Sequence, residues 1–317
     1  MSPVLLGLAL GAVFGAAARA GGLCLLRGMK SARRGEFGPL RAFALALAVA
    51  ICTTQGLARG VDLSAALPLR GGAWPGMFLG GAVFGLGMVL ANACGARALV
   101  LAAGGNMRMV LVLLALGVSA QASMTGVLAP LRLWVQGLGT AQAGTLPLAA
   151  GLGLAVLLAA FALPLRNRTE AACATVIGLT IAAGWWVSHA TDDPFDPRAL
   201  TSLSFIGPVA DGLLWLMLST GRALNFGIAV VAGTVIGAFT IAALRRDLRL
   251  EPTGAQLPRA LLGGLLMGFG GVLALGCSIG QGLSGISTLS LASLVAFSGI
   301  LAGTAVALVF DPRKEPT

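Results

Sequence analysis

Long apolar runs, separated by short polar segments, restrict the fold of this sequence more than any other feature. Several runs reach about 20 residues, the length that an α-helix needs to cross a hydrocarbon core of ~30 Å. The 317 residues are 57% hydrophobic and 10% charged, whereas an ordinary soluble domain carries about 25% charged residues. The sequence therefore predicts an all-α polytopic membrane protein, folded as one helical bundle.

Nine runs are predicted to be transmembrane helices. They are residues 4–24, 42–57, 74–94, 109–128, 146–165, 171–189, 226–244, 261–277 and 289–310. Two further runs are too short or too broken to cross: the one that follows Cys94 and ends at 104–106, and residues 203–218, which Gly207-Pro208 interrupts. Interrupted helices are tolerated at membrane depth where they pack inside protein or line a cavity. Both runs are therefore predicted to be short non-crossing or re-entrant helices.

The basic residues indicate the orientation in the membrane. Lysine and arginine concentrate in the cytoplasmic loops of membrane proteins. The basic residues at 27–41, 166–168, 245–249 and in the C-terminal tail fall on one side if the N-terminus is outside and 203–218 does not cross. We therefore expect an outside N-terminus and a cytoplasmic C-terminus. The net charge of +10 calls for no nucleic-acid partner, since no RNA- or DNA-binding motif is present.

The N-terminal residues resemble a secretory signal peptide that ends in A-R-A. They lack a basic n-region, and their string GAVFG occurs again inside the chain, so we expect a retained helix rather than a cleaved leader. Within that helix, Arg19 must face protein or water instead of lipid.

A repeated motif ends in cysteine. Residues 85–94 (GLGMVLANAC) and 268–277 (GFGGVLALGC) both fit the pattern G-x-G-x-V-L-A-x-x-C. The string GAVFG occurs at 11–15 and at 81–85, and in both places a cysteine follows the last glycine by nine residues. Three of the five cysteines therefore share one register of a duplicated unit. The cysteines in this register are Cys24, Cys94 and Cys277.

The two full copies of the motif are predicted to run through the membrane in opposite directions, as in an inverted repeat. Such repeats in transporters place the substrate path at their interface, often at interrupted helices. We expect the first half at about residues 1–145 and the second at about 146–317. A fourth position of the register is degenerate: Val187 stands where a cysteine is expected. His189, two residues later, is either a polar substitute or a local hydrogen-bonding residue.

Familiar catalytic and metal-binding patterns do not occur in the sequence. No two cysteines form a C-x-x-C pair, His189 is the single histidine, and there is no GxSxG, HExxH or Walker A string. The sequence therefore predicts neither an enzyme nor a metal or cofactor site. Cys52 and Cys173 lie outside the register and are assigned to packing, the ordinary role of a free cysteine in an apolar helix.

Three thiols in one register suit a soft substrate. A thiol is polarizable and a weak hydrogen-bond donor, so a path lined with thiols favours a sulfur or selenium compound, or Cu(I), over sugars and hard cations. Copper paths also use clustered methionine and histidine, and this sequence has no such cluster. Helix N-termini and five polar residues would hold the oxyanion end of a sulfur-containing substrate. The alternative role of these residues is to satisfy backbone groups freed at helix breaks. The five are Asn92, Arg97, Ser278, Gln281 and Ser284.

The string G-C-x-x-G-x-G-L-S-G at residues 276–285, together with the repeated glycine-rich helix ending in one cysteine, resembles the YeeE/YedE family of membrane proteins with the sulfur transport domain. The resemblance extends from Gly11 to about Ala307. It implies import of thiosulfate across the bacterial inner membrane, through nine spans and a waist lined by the three cysteines of the register. It also implies that S–H···S contacts relay the terminal sulfur of thiosulfate without covalent capture. A small TusA-like cytoplasmic sulfurtransferase is the implied partner.

Two alternatives stay open. The segment NACGARALVL lacks the glutamine or histidine and the serine-glycine pair of the fuller family motif, which leaves a selenium compound or another sulfur compound as the substrate. The other alternative is a membrane-embedded sulfurtransferase or redox relay, which needs thiolate character. Arg97, three residues after Cys94, is the support for that character in the sequence. Asp211 is the one acidic candidate for proton coupling, with helix capping as its other role.

Overall fold

In the computed structural model, the chain is almost entirely helical. The structure describes residues 2–60, 71–137, 139, 141–142, 144–165, 167–191, 200–221, 223–254 and 256–310. The predicted cytoplasmic residue Arg166 and the basic tail residues Arg313 and Lys314 lie outside the described residues.

The elements occur in the following order along the chain. The helices are α1 (Pro3–Gly21), α2 (Leu25–Ala32), α3 (Gly38–Leu57), α4 (Trp74–Ala91), α5 (Gly95–Ala103), α6 (Met107–Met124), α7 (Ala129–Gln136), α8 (Leu148–Ala162), α9 (Arg168–Ala190), α10 (Ile206–Met217), α11 (Phe226–Leu244), α12 (Leu257–Leu273) and α13 (Leu291–Val309). A π-helix, Gly280–Gly285, lies between α12 and α13. Two short strands, β1 (Gly71–Gly72) and β2 (Ala141–Gln142), pair antiparallel.

Polar residues mark the starts of several long helices. The N-cap side chain of α6, α9, α11 and α13 accepts a hydrogen bond from a backbone N–H of the first turn. These caps satisfy donors that a helix leaves free at its start, which is the reason asparagine and serine are common there. The four N-cap residues are Asn106, Asn167, Asn225 and Ser290.

The prediction of a polytopic helical membrane protein is confirmed. Among the described residues, seven helical segments are long and apolar enough to cross a membrane, and they contain α1, α3, α4, α6, α9, α11 and α13. The other two predicted crossings correspond to α8 and α12, with 15 and 17 residues. At 1.5 Å per residue they are about 23 and 26 Å long. The helices α5, with 9 residues, and α10, with 12 residues, are too short to cross, as predicted.

The GAVFG strings form helix contacts. A Cβ atom added at Gly11 of α1 would lie 2.2 Å from the carbonyl oxygen of Val230 on α11, and one added at Gly15 would lie 2.1 Å from that of Thr234. Both contacts advance by four residues on each helix, so α1 and α11 run parallel. In the second string, Gly81 and Gly85 meet α13 in the same way. Small residues are what allow two helix backbones to approach this closely.

The two motif helices, α4 and α12, pack against each other in opposite directions. Gly87 of α4 meets Gly263 near the start of α12, whereas Gly80, near the start of α4, meets Leu273 at the end of α12. In each motif the first glycine faces a parallel neighbour: Gly85 packs on α13 and Gly268 packs on α6. The second glycine of each motif faces the other motif helix. Opposite directions are the arrangement that an inverted repeat requires.

Basic residues gather at one end of the bundle, which we call the basic end. Arg245, just after α11, donates a hydrogen bond to the carbonyl oxygen of Ala20 in α1 at 3.4 Å. Arg33, just after α2, donates to the carbonyl oxygen of Leu308 in α13. These contacts place the C-terminal end of α11 beside that of α1, and the C-terminal end of α2 beside that of α13. The sequence predicts this clustering, since it assigns these arginines to one side of the membrane.

Arg19, the charge within the first helix, is paired. Its Nη2 lies 2.5 Å from Oδ2 of Asp247, and the two side chains are 14% and 56% exposed. The same nitrogen also donates to the backbone oxygen of Asp247 at 3.3 Å. A counter-charge from the segment after α11 therefore accounts for an arginine in a membrane helix.

Candidate functional site

The three cysteines of the register follow helix breaks of one geometry. The helices α1, α4 and α12 end before the cysteines, and not at them as the predicted spans 4–24, 74–94 and 261–277 have it. Two residues before each cysteine the backbone is left-handed, at Gly22 (φ 61°), Asn92 (φ 60°) and Leu275 (φ 57°). Glycine and asparagine adopt this conformation readily, whereas leucine is strained in it. The helices α2 and α5 begin directly after Cys24 and Cys94, and the π-helix begins three residues after Cys277.

Each sulfur therefore lies at the N-terminal end of a helical segment. Cys24 and Cys94 are the N-cap residues of α2 and α5. The backbone N–H three residues further on lies near the sulfur in each case, although outside ideal capping geometry. The sulfur of Cys277 accepts a hydrogen bond from the N–H of Gly280 at 3.3 Å. The N–H groups of a first helical turn have no carbonyl partner within the helix, and they give helix starts a partial positive charge that favours an anion or a polarizable sulfur.

Two of the breaks bring their thiols close together. The side chains of Cys24 and Cys94 are near enough to influence each other electrostatically, and the hydroxyl of Ser278 lies near Cys94 as well. Because Ser278 is the neighbour of Cys277, the third break adjoins this pair. All three cysteines are buried, with exposed fractions of 2%, 2% and 0%. The structure thus gathers the register in the interior of the bundle, not on its lipid-facing surface.

A large cavity of about 780 Å³ lies on one side of the breaks. It reaches the end of the bundle where α1 and α11 begin, since Pro3 and Asn225 line it. That end is opposite the basic end. Several residues of the π-helix and of the segment before α10 line its inner wall: Ser202, Ser204, Gly280, Gln281 and Ser284.

A small cavity of about 10 Å³ lies beside Cys94 and Arg97. Its volume is about that needed for one water molecule. Phe14, Leu23 and Ile279 are among the apolar residues that line it. Arg97 is half-buried there and is close enough to Cys24 to interact with it electrostatically. The positive charge of Arg97 therefore lies beside two thiols.

Two of the five predicted polar residues donate to backbone groups. Both hydrogen bonds from Nε2 of Gln281 go to carbonyl oxygens at the end of α12, those of Ala274 (2.8 Å) and Leu275 (2.9 Å). The Ser284 hydroxyl donates to the carbonyl oxygen of Leu203 at 2.7 Å. Because these donors are occupied, the two side chains satisfy backbone carbonyl groups freed at the helix break. This is one of the two roles predicted from the sequence, the other being to hold an anionic substrate. Gln281 keeps a buried Oε1 that has no hydrogen-bond partner among the described residues.

The other three polar residues lie nearer the thiols. Ser278 lies near Cys94, and Arg97 lines the small cavity. Asn92 provides the left-handed residue of its break, and its Oδ1 accepts a hydrogen bond from Nζ of Lys30 at 2.6 Å. The sequence reasoning did not single out Lys30, because its partner is distant in sequence.

The remaining candidates are spread over the molecule. His189 is exposed near the end of α9, while its neighbour Ser188 lines the large cavity. Asp211 also lines the large cavity. Cys52 is exposed on α3, and Cys173 packs against Gly21. Among the described residues, no group of three histidine, cysteine or acidic side chains is arranged to hold a metal ion.

Comparison with known proteins agrees with the geometry of the repeat. The sequence matches the family described as "Sulphur transport" twice, over residues 18–171 and 165–306. It is also similar to the thiosulfate transporter TsuA of Escherichia coli K12, with 38% identity over 111 residues. That match covers 35% of this chain and spans 30% of the length of the relative. Since the two family matches together cover most of the sequence, the chain belongs to the sulphur transport family.

Proposed function

We propose that this protein imports thiosulfate through the three helix breaks. The observation that carries the proposal is the shared geometry of Cys24, Cys94 and Cys277, which are buried thiols at helix starts, two of them near each other. A thiol donates a weak hydrogen bond to the terminal sulfur of thiosulfate and matches its polarizability. Similarity to a protein named as a thiosulfate transporter supports this substrate. A selenium compound or another sulfur compound would meet the same thiols.

The anionic end of the substrate needs donors other than Gln281 and Ser284, whose donors are occupied. Arg97 and the N–H groups at the starts of α2 and α5 supply them. In this mechanism the soft sulfur passes from Cys277 to the pair of Cys94 and Cys24, while Arg97 faces the oxyanion. No covalent bond to the substrate forms in these steps.

We place the protein in the bacterial inner membrane, with the N-terminus outside and the C-terminus in the cytoplasm. The clustering of arginines at the basic end supports this orientation. The large cavity then opens to the outside and receives the anion. The antiparallel motif helices and the two family matches, at residues 18–171 and 165–306, support a division into two halves. We propose about residues 1–145 and 146–317 as these halves, although the two matches meet about 20 residues further along the chain. A small TusA-like sulfurtransferase would receive the sulfur at the basic end.

Growth complementation tests the proposed function. A bacterium unable to take up sulfate or thiosulfate should grow on thiosulfate when it expresses this protein. The Cys94→Ala and Cys277→Ala variants should fail to support growth, while Cys52→Ala, a cysteine outside the register, should support it as the wild type does. Equal growth of all variants, at equal amounts of protein in the membrane, would remove the thiol path from the mechanism.

One observation favours a second candidate function. A thiol enzyme needs another cysteine to resolve an intermediate, and Cys24 lies beside Cys94 although the two are far apart in sequence. In a sulfurtransferase or redox relay, the Cys94 thiolate would attack the terminal sulfur of thiosulfate, forming a persulfide and releasing sulfite. The Cys24 thiolate would then attack the Cys94 sulfur, forming the Cys24–Cys94 disulfide and releasing hydrosulfide, and a cytoplasmic dithiol reductant would restore both thiols. Mass spectrometry of protein taken during thiosulfate uptake distinguishes the two functions. A persulfide on Cys94 supports the enzyme, and unmodified thiols support the transporter.

A further inference from the structure

We propose that Phe14, Phe205 and Ile279 form an apolar barrier that separates the large cavity from the Cys24–Cys94 pair. The inference deepens the proposed function, on which it rests for its purpose: a transporter must pass its anion without leaving an open channel. The contacts that form the barrier do not depend on which substrate the protein transports.

The two aromatic side chains fill the space between the cavities. The ring centroids of Phe14 and Phe205 are 5.1 Å apart, and the residues are 1% and 0% exposed. Phe14 lines the small cavity beside Cys94. The residues on both sides of Phe205, Ser204 and Ile206, line the large cavity. The pair therefore has one cavity on each side.

The segment after Cys277 completes the wall. Ile279 lines the small cavity, whereas the next residue, Gly280, lines the large one. Ile206, which lines the large cavity, also approaches the other side of the wall, since a Cβ atom added at Gly95 would lie 3.7 Å from its Cδ1. Ile206 therefore lies between the large cavity and the residue that follows Cys94.

The segment at 200–205 that carries Phe205 is held by hydrogen bonds. The hydroxyl of Ser284 in the π-helix donates to the carbonyl oxygen of Leu203 at 2.7 Å, and that of Ser202 donates to the carbonyl oxygen of Ile181 at 2.7 Å. Phe205 is thus positioned by the π-helix that follows Cys277. Motion of the third break would carry the barrier with it.

A closed apolar constriction excludes water and therefore stops ions. Moving a charge into such a region without compensating groups is strongly unfavourable, and hydrophobic constrictions in channels close by this dewetting effect. An anion in the large cavity can reach Cys94 when Phe205 leaves its place against Phe14. The barrier therefore predicts slow access to Cys94 from the side of the large cavity.

The test measures how fast a reagent reaches Cys94, without any substrate. A cationic, membrane-impermeant methanethiosulfonate is added to spheroplasts that express the protein with Cys52→Ser and Cys173→Ser, and peptide mapping by mass spectrometry follows Cys94. We expect Phe205→Ala to raise the modification rate at least tenfold. Phe43→Ala is the matched control, because Phe43 stacks on Phe297 with centroids 6.0 Å apart and lines neither cavity.

An equal rate in the parent protein and in Phe205→Ala would overturn the barrier, and so would equal acceleration by Phe43→Ala. If Phe205→Ala does not reach the membrane, Phe14→Ala and Phe205→Leu apply the same test with the same control. Labelling requires no thiosulfate. A failure of the growth experiment therefore does not change the labelling result, and a failure of the labelling experiment does not change the growth result.

Discussion

The side chains of Cys24 and Cys94 lie near each other, although one follows α1 and the other follows α4. Their meeting depends on the breaks at Gly22 and Asn92, which turn each chain segment inward after its helix ends. Had α1 and α4 continued as straight helices through the cysteines, the two thiols would lie on separate helix surfaces. This proximity is therefore a product of the breaks and not of the helices.

The proximity of these thiols predicts a reversible block. In a Cys52→Ala, Cys173→Ala background, treatment with the thiol oxidant diamide should join Cys24 to Cys94 and stop thiosulfate uptake into vesicles, because the oxidised pair can no longer donate S–H hydrogen bonds. Dithiothreitol should restore uptake. The disulfide is identified by mass spectrometry of the linked peptides. A Cys24→Ser variant should show no such peptide, and persistent full uptake by a protein that carries the disulfide would contradict the thiol path.

Gly11 predicts a stability loss that depends on one helix contact. A methyl group at this position would lie 2.2 Å from the carbonyl oxygen of Val230, so Gly11→Ala must push α1 away from α11. We expect the free energy of unfolding to fall by about 1–3 kcal/mol, the usual cost of overpacking, visible as a lower melting temperature in detergent. The control is Gly153→Ala on α8, where an added Cβ atom meets nothing within 4 Å. Alanine favours the helix there, so the melting temperature of Gly153→Ala should be unchanged or higher.

Gln281 is expected to act on stability. Replacing it with leucine leaves the carbonyl oxygens of Ala274 and Leu275 without the donors they have now. A buried group left unsatisfied costs about 1–3 kcal/mol, so Gln281→Leu should lower the melting temperature. In Gln121→Leu, the matched control, the lost bond to the Thr125 hydroxyl is exposed, and the effect should be smaller. A raised KM for thiosulfate at an unchanged melting temperature would instead make Gln281 a substrate ligand.

The left-handed residues predict an asymmetry between the two motif copies. Leucine in this conformation costs about 1–2 kcal/mol, whereas asparagine tolerates it. Leu275→Asn should therefore stabilise the protein by about 1 kcal/mol, particularly since the Leu275 side chain is 46% exposed and loses little packing. Asn92→Leu should destabilise it, because it adds strain and removes the hydrogen bond from Lys30. Thermal unfolding shows whether each substitution raises or lowers the stability. A change in the same direction for both variants would contradict the prediction.

The ion pair of Arg19 predicts a loss of stability that exchanging the two charges partly reverses. Asp247→Asn removes the counter-charge from an arginine within a membrane helix, and we expect a destabilisation of about 1–3 kcal/mol, since a largely buried charge is left unpaired. The double variant Arg19→Asp with Asp247→Arg should recover part of it. A melting temperature of Asp247→Asn equal to that of the wild type would show that water or lipid headgroups compensate Arg19 fully.

Local patterns in the sequence were sufficient for much of the helical architecture. Run length separated nine predicted crossings, seven of which are long and apolar enough as helices, from the short α5 and α10. The cysteine register pointed to three breaks that share one backbone geometry. The predicted spans extended too far at Cys24, Cys94 and Cys277, because hydropathy does not register a single left-handed residue. Asn92 and Gly22 are recognisable signals for such a residue, but Leu275 is not.

Long-range contacts account for what the sequence left open. The occupied donors of Gln281 and Ser284 depend on carbonyl groups exposed by helix ends whose positions are set by packing. The Phe14–Phe205 pair joins α1 to the segment before α10, and no local pattern connects two phenylalanines so far apart. The cavities likewise arise between elements, so their walls belong to no single motif.

The glycine contacts of α1 with α11 and of α4 with α13 also bear on motion. Where a helix backbone packs directly against the carbonyl groups of its neighbour, there is no space for one helix to slide or rotate against the other. Each of these two helix pairs is therefore expected to move as one rigid body. We therefore expect the rearrangement that carries a substrate across to concentrate in the few residues on either side of each thiol, which would place the hinges of the molecule beside its three thiols.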